Sequence, residues 1–252
     1  MSFRMRNAPV FVSNTLMDNT IVAVTPQNDT TIIDNTVIDI REGLISKTNK
    51  TIFATETNDY HVPLGTKQFY ISMVAGGGAG GLGDIKGDLF HSGGGGGAGG
   101  CYSRIPVKIE NKSPIKLHCT IGKGGTRDHH DGTDTVVQIY VNNILYTTLN
   151  VIGGKGGGGG TSNDGGEGGP GLNIFNGNGE KGTVNLSRHV PKGGKGGSSI
   201  FYNGGKGMTY NIQNKEECNG KWGSGGGGSI PLIENQTNNG GDGIVTIEYV
   251  EV

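Results

Sequence analysis

Runs of β-branched and aromatic residues, broken every few positions by Asn, Asp, Thr or Gly, set the pattern of this chain. In the first 65 residues the runs are short: VFVS, TIVAV, TTIIDNTVIDI and TIFATE. Polar interruptions there predict short strands with polar turns and not helices. The best helical stretch, over residues 40–47, is too short to stand alone. Better strands follow. Residues 68–75 (QFYISMVA) run straight into glycine. Residues 103–110 and 114–121 read as a pair joined by a turn at 111–113. Residues 135–141 and 144–152 flank Asn142 and Asn143, a dipeptide suited to a tight hairpin. The closing segment, 243–252 (GIVTIEYVEV), alternates so that Val245, Ile247, Tyr249 and Glu251 share one face. Pairing near residues 69–74, it would hold both ends of the intervening region to one sheet.

That intervening region is glycine. Five occur in a row at 93–97, five at 156–160 and four at 225–228, and of 51 glycines only Gly43 and Gly65 precede Gly76. Glycine is costly to order and brings no side chain to bury. Such a region is either a flexible linker or a solid in which backbone packs on backbone. Several blocks have a period of three. In GGEGGPG, Gly165, Gly168 and Gly171 share one phase and Gly166 and Gly169 a second, leaving Glu167 and Pro170 on the third. In GGKGGS the third phase carries Lys195 and Ser198. Three residues per turn is the period of an extended helix of the polyproline-II type, which has no internal hydrogen bonds. With two faces bare, such helices can approach closely and bond N–H to C=O between neighbours, which satisfies groups otherwise orphaned by burial. Collagen would need glycine at every third residue over long distances, and that repeat fails here. Apolar inserts at 172–175, 200–202, 208–210, Trp222 and 230–233 are anchors that a Gly/Ser linker lacks. The fold class expected is therefore mainly β: antiparallel strands with a glycine-rich polyglycine-II helix layer and little or no α-helix. Two units are expected, a β-rich attachment or oligomerisation segment over 1–65 and a glycine-rich domain over 66–252.

The order of features resembles the glycine-rich domains of viral fibre tips, especially tail-fibre adhesins of long-tailed bacteriophages. The residues that carry it are MVAGGGAGG (73–81), SGGGGGAGG (92–100), CTIGKGG (119–125), the blocks over 153–241, and GDGIVTIEY (241–249). The resemblance covers roughly residues 66–252. It implies polyglycine-II helices capped by loops on a virion or cell surface, with the loops able to meet receptors. The blocks here are shorter and more interrupted than in the most regular adhesins. The Asn-, Ile- and Lys-rich background is similar to that of giant DNA viruses of amoebae. The leading expectation is a non-enzymatic virion structural protein in a surface fibre or capsid-associated assembly. The alternative is a receptor- or glycan-binding adhesin at a phage tail-fibre tip.

Charge and chemistry narrow the classes further. With 21 basic and 22 acidic residues the formal net charge is -1 and no basic stripe is present, so nucleic acid is not an expected partner. Lys86, Lys155, Lys192, Lys195 and Lys206 read as solubilising surface. The amino terminus has no long apolar stretch, and neither a signal peptide nor membrane insertion is expected. Cys101, Cys119 and Cys218 are odd in number and far apart, which reads as free thiols. Asp128, His129, His130 and Asp131, with Asp134 nearby, could in principle hold a divalent ion, but neighbouring residues diverge and glycines flank them, so a solvent-facing loop is expected. Gly154, Gly156 and Gly159 fit a dinucleotide fingerprint only formally, because GGTSNDGGEGGPG cannot open a helix. No catalytic residue, metal or cofactor is expected. Contacts to a receptor or partner would fall to aromatics on glycine-loop tips: Phe90, Tyr102, Phe175, Tyr202, Tyr210 and Trp222, with Phe201 a further candidate. The expected partners are copies of the chain, with a trimer favoured, or other virion proteins, and a host surface glycan or protein.

Overall fold

A computed structural model describes residues 20–24, 35–39, 45–66, 68–109, 113–160, 165–171, 177–186, 190–210, 215–231 and 238–251. Its strands are β1 (Thr20–Val24), β2 (Asn35–Asp39), β3 (Ile45–Ala54), β4 (Asn58–Val62), β5 (Gln68–Val74), β6 (Asp84–Lys86), β7 (Leu89–His91), β8 (Cys101–Lys108), β9 (Ile115–Thr120), β10 (Thr135–Val141), β11 (Ile144–Val151), β12 (Val184–Asn185) and β13 (Ile244–Glu251). They form a six-stranded sheet (β1-β2-β3-β13-β5-β8), a four-stranded sheet (β11-β10-β9-β4) and a small three-stranded sheet (β12-β7-β6). Among the described residues every strand pairing is antiparallel. Among the described residues the only helical element is one 3-10 turn, Lys215–Cys218. The protein is mainly β, as its alternation predicts.

The two larger sheets share one side-chain core. Phe69, Ile71 and Met73 of β5 and Val245, Ile247 and Tyr249 of β13 meet Ile115, Leu117 and Cys119 of β9 and Val137 and Ile139 of β10. The closing strand lies between β3 and β5, with Tyr249 opposite Phe69 and Ile244 opposite Val74. It thus returns to the strand that leads into the first glycine block. The Asn142–Asn143 turn joins β10 to β11, and both residues have positive φ (52° and 63°), as the primed hairpin turns require.

One expectation is corrected. The strands over 103–110 and 114–121 are not a hairpin pair: β8 lies beside β5, whereas β9 lies between β10 and β4 in the other sheet. The chain crosses between sheets because the apolar faces of both strands, Val107 and Ile109 on one side and Ile115 and Leu117 on the other, fill the same core. β3 and β4 precede residue 65; β3 pairs with β13 and β4 pairs with β9.

Beyond one end of the strands, the glycine segments bond to one another laterally. Along 93–100 the donors rotate through three neighbours: Gly93, Gly96 and Gly99 donate to Ser229, Gly226 and Gly223; Gly94, Gly97 and Gly100 to Gly158, Lys155 and Ile152; Gly95 and Ala98 to Glu180 and Gly177, at 2.7–3.0 Å. Each acceptor number falls by three as the donor rises by three, which defines three antiparallel neighbours. The carbonyls of 92–100 accept from three others: from Ala75, Gly78 and Gly81; from Gly166 and Gly169; and from Gly194 and Gly197. One run of backbone is thereby ringed by six. The run 75–81 repeats the pattern, with Gly76 and Ala79 donating to Thr133 and His130, and Gly77 and Gly80 to Gly241 and Asn238.

These contacts need bare backbone. A Cβ on Gly78 would collide with the Lys155 carbonyl, and one on Gly96 with the Gly78 carbonyl. A small side-chain cluster, Met208, Cys218 and Ile230, anchors one flank. Thr135 joins layer to sheet: its buried Oγ1 accepts the Gly122 N–H (2.9 Å) and donates to the Val74 carbonyl (3.0 Å). At the outer rim, aspartates close two of the layer's free N–H positions. Asp242 accepts from Gly124 N–H (2.8 Å) and pairs with Lys123 (2.9 Å). Asp131 treats Gly156 (2.9 Å) and Lys155 (2.8 Å) the same way.

Candidate functional site

The glycine segments end in loops, and two of these loops are tied together by one hydroxyl. Ser199 is buried, follows the 193–197 segment, and accepts the backbone N–H groups of Phe201 (3.2 Å) and Tyr202 (3.0 Å). The same Oγ donates to the Trp222 carbonyl at 2.7 Å. On the other side Lys221 N–H donates to Ser224 Oγ (2.8 Å) and Ser224 N–H returns to the Lys221 carbonyl (3.1 Å). Between them Trp222 (φ 44°) and Gly223 (φ 75°) both take the left-handed region. For glycine that is free; for a bulky residue it is strained, at a cost on the order of 1–3 kcal/mol. The reversal leaves Trp222 47% exposed and Tyr202 40% exposed. Their rings meet edge to face, centroids 5.8 Å apart at 84°, and Lys221 Nζ lies 5.6 Å from the Tyr202 centroid.

A groove of about 350 Å³ opens beside this pair, lined by Tyr202, Asn203, Gly204, Lys206, Glu216, Glu217, Asn219 and Lys221. Lys206 and Glu217 form an ion pair across it. Asn219 Oδ1 is taken by the Asn239 N–H (2.9 Å). Next to the groove, Cys218 is buried, and burial pushes its thiol up to about 11, which makes it a poor nucleophile. The described lining offers amide, carboxylate, ammonium and phenol groups.

Of the residues expected at a contact surface, the structure brings together Tyr202 and Trp222. Phe201, beside Tyr202, is half-buried. Tyr102 is exposed on β8, where it pairs with Met73. Tyr210 is exposed beyond the Met208 anchor, and Phe90 is half-buried on β7 opposite Ile85. Phe175 lies outside the described residues. Ser199, Asn203, Asn219 and Lys221 escaped sequence reading. A serine followed at two and three residues by free N–H groups was a detectable signal at Ser199; nothing local pointed to the others.

The acidic and histidine loop is occupied with structure. Asp128, His129 and His130 are exposed, the His130 carbonyl accepts from Ala79, and Asp131 caps the rim as described. Burial pushes the Asp131 carboxyl up, but hydrogen bonds from Lys155 and Gly156 outweigh it and hold it below the usual value. Among the described residues no group of three or more His, Cys, Asp or Glu side chains converges on a metal-sized site.

Layer, loops and sheets together define a glycine-rich β domain, and comparison by sequence agrees: a family model described as "Glycine-rich domain" matches residues 53–250. The chain belongs to this glycine-rich domain family. No match was found among curated proteins.

Proposed function

We propose that the chain is a non-enzymatic structural protein of a virion, part of a surface fibre or capsid-associated assembly, and that its glycine layer is a polyglycine-II lattice. The observation that carries this reading is the rotation of hydrogen bonds through three neighbours every three residues along 93–100. A slab held by main-chain bonds in all lateral directions resists shear without a large apolar core, which suits an exposed, load-bearing position. The sandwich end opposite the layer offers a face for assembly: Leu64, beyond the Val62 end of β4, and Ile144, Leu145 and Tyr146, which open β11 beside the Val141 end of β10, are exposed there. Copies of the chain, three by the fibre-tip resemblance, or other virion proteins would cover it. Antibody labelling of intact purified particles from infected cells is the test. Surface label supports the proposal, and absence of the chain from the particles contradicts it.

A second reading, an adhesin, is favoured by the Tyr202–Trp222 pair. Backbone strain at an exposed tryptophan, held by a buried serine, is the kind of expense that marks a contact site. Binding of labelled protein to host cells, lost in Trp222→Ala, would support it; unchanged binding would place the contact elsewhere.

A further inference from the structure

We propose that the groove beside Tyr202 binds a neutral pyranose unit of a surface glycan, an inference that rests on the adhesin reading above. The argument is one of matching chemistry. Two carboxylates, Glu216 and Glu217, face two ammonium groups, Lys206 and Lys221, so the lining has no net charge to favour an ionic ligand. Four charged side chains equally disfavour a purely apolar one, which would strip water from them. A neutral sugar meets both conditions. Its hydroxyls donate and accept, and its C–H face is apolar.

The donors and acceptors needed are already placed. The Asn203 amide makes no hydrogen bond among the described residues, and Asn219 commits its oxygen to Asn239, leaving its NH₂ as a donor. Glu217 adds acceptor oxygens, and Lys221 sits over the Tyr202 ring as a further donor. Tyr202 supplies an aromatic wall for the C–H face. Trp222 buttresses that wall edge-on, and Ser199 fixes both loops. The volume of about 350 Å³ is at the small end for ligand sites, the scale of a terminal sugar and not of a long chain. Backbone bonds tie the wall segments to each other and to the layer: Lys206 N–H donates to the Glu217 carbonyl and Gly227 N–H to the Cys218 carbonyl, both at 2.8 Å.

Saturation-transfer NMR on the full chain tests this with methyl β-glucoside, methyl β-galactoside, N-acetylglucosamine and sialic acid as probes. At least one neutral sugar should give transfer to its ring protons, and sialic acid should give markedly less. Tyr202→Ala and Asn203→Ala, both at exposed positions, should each weaken binding roughly tenfold or more while the amide spectrum of the rest of the chain is kept. Silence from every neutral sugar, equal binding of sialic acid, or binding unchanged in both variants would overturn the proposal. Cell binding that persists in Tyr202→Ala but fails in Trp222→Ala would leave the adhesin reading standing while removing the sugar site. Cell binding kept in both variants would remove the sugar site and place the adhesin contact elsewhere, and no cell binding by the wild type would remove both.

Discussion

The β sandwich and the glycine layer bury their backbones by opposite means. In the sandwich, side chains such as Phe69, Ile71, Leu117 and Ile139 fill the space between sheets, and backbone groups are satisfied within each sheet. In the layer, Gly94 and Gly97 have no side chain at all, and their N–H and C=O groups bond to two different segments, to Gly158 and Lys155 on one side and to Gly81 and Gly78 on the other. One region excludes water with apolar volume. The other does so by letting main chains approach until no volume remains. The sandwich should therefore suffer most when atoms are removed, and the layer when a single carbon is added.

Gly96→Ala tests the sharpest form of this contrast. The new methyl would meet the Gly78 carbonyl, which itself accepts from Gly226, so the neighbour cannot retreat without loss of the lattice. The expected cost exceeds about 4 kcal/mol, beyond the usual range for one substitution. Gly159→Ala is the control within the layer, because its nearest atom, the Leu82 carbonyl, would lie 3.5 Å away; a change within about 1 kcal/mol is expected. Denaturant unfolding of both variants measures the difference. Equal effects would break the comparison.

Leu117→Ala comes next, at about 2–5 kcal/mol for a fully buried leucine. A sandwich variant that loses three carbons should thus cost no more than a layer variant that gains one. Thr135→Val, at the seam, should cost about 1–3 kcal/mol, since it leaves the Gly122 N–H and the Val74 carbonyl without their partner. Amide exchange at Gly122 should rise in that variant, with β13 unchanged.

The smallest effect concerns pH. The Asp131 carboxyl titrates below its ordinary value of 3.8 when folded, so its contribution is present above that value and is lost as pH falls through the lower folded one. Stability of the wild type should therefore drop more steeply with acid below about pH 4 than that of Asp131→Asn. Because Asp131 is half exposed, the difference should be modest. Matching acid profiles would remove the rim clamp from the account.

Much of this contrast was legible in the residues. Asn142–Asn143 announced its hairpin because few other residues tolerate two positive φ values in succession. The entry of β5 into glycine and the return of β13 followed from strong alternation at both ends. The partners of β8 and β9 were not legible, because a strand's pattern fixes which face is buried and not which neighbour it takes. The role of β3 was hidden for a related reason: ISKTNKTIFA alternates weakly, and its place beside β13 is set by register alone. At the candidate site, Tyr202 and Trp222 were each visible as aromatic inserts. Their contact was not, since it depends on two loops brought side by side by the layer and tied through Ser199.

The central claim is that the glycine backbone is as firmly bonded as the sheets. Residue-resolved amide hydrogen exchange on the folded chain tests it most directly. Gly78, Gly94, Gly96 and Gly226 should exchange as slowly as Ile71 and Ile247, opening only with the whole fold. Exchange at those glycines as fast as in an unfolded peptide, with β5 and β13 still protected, would contradict it.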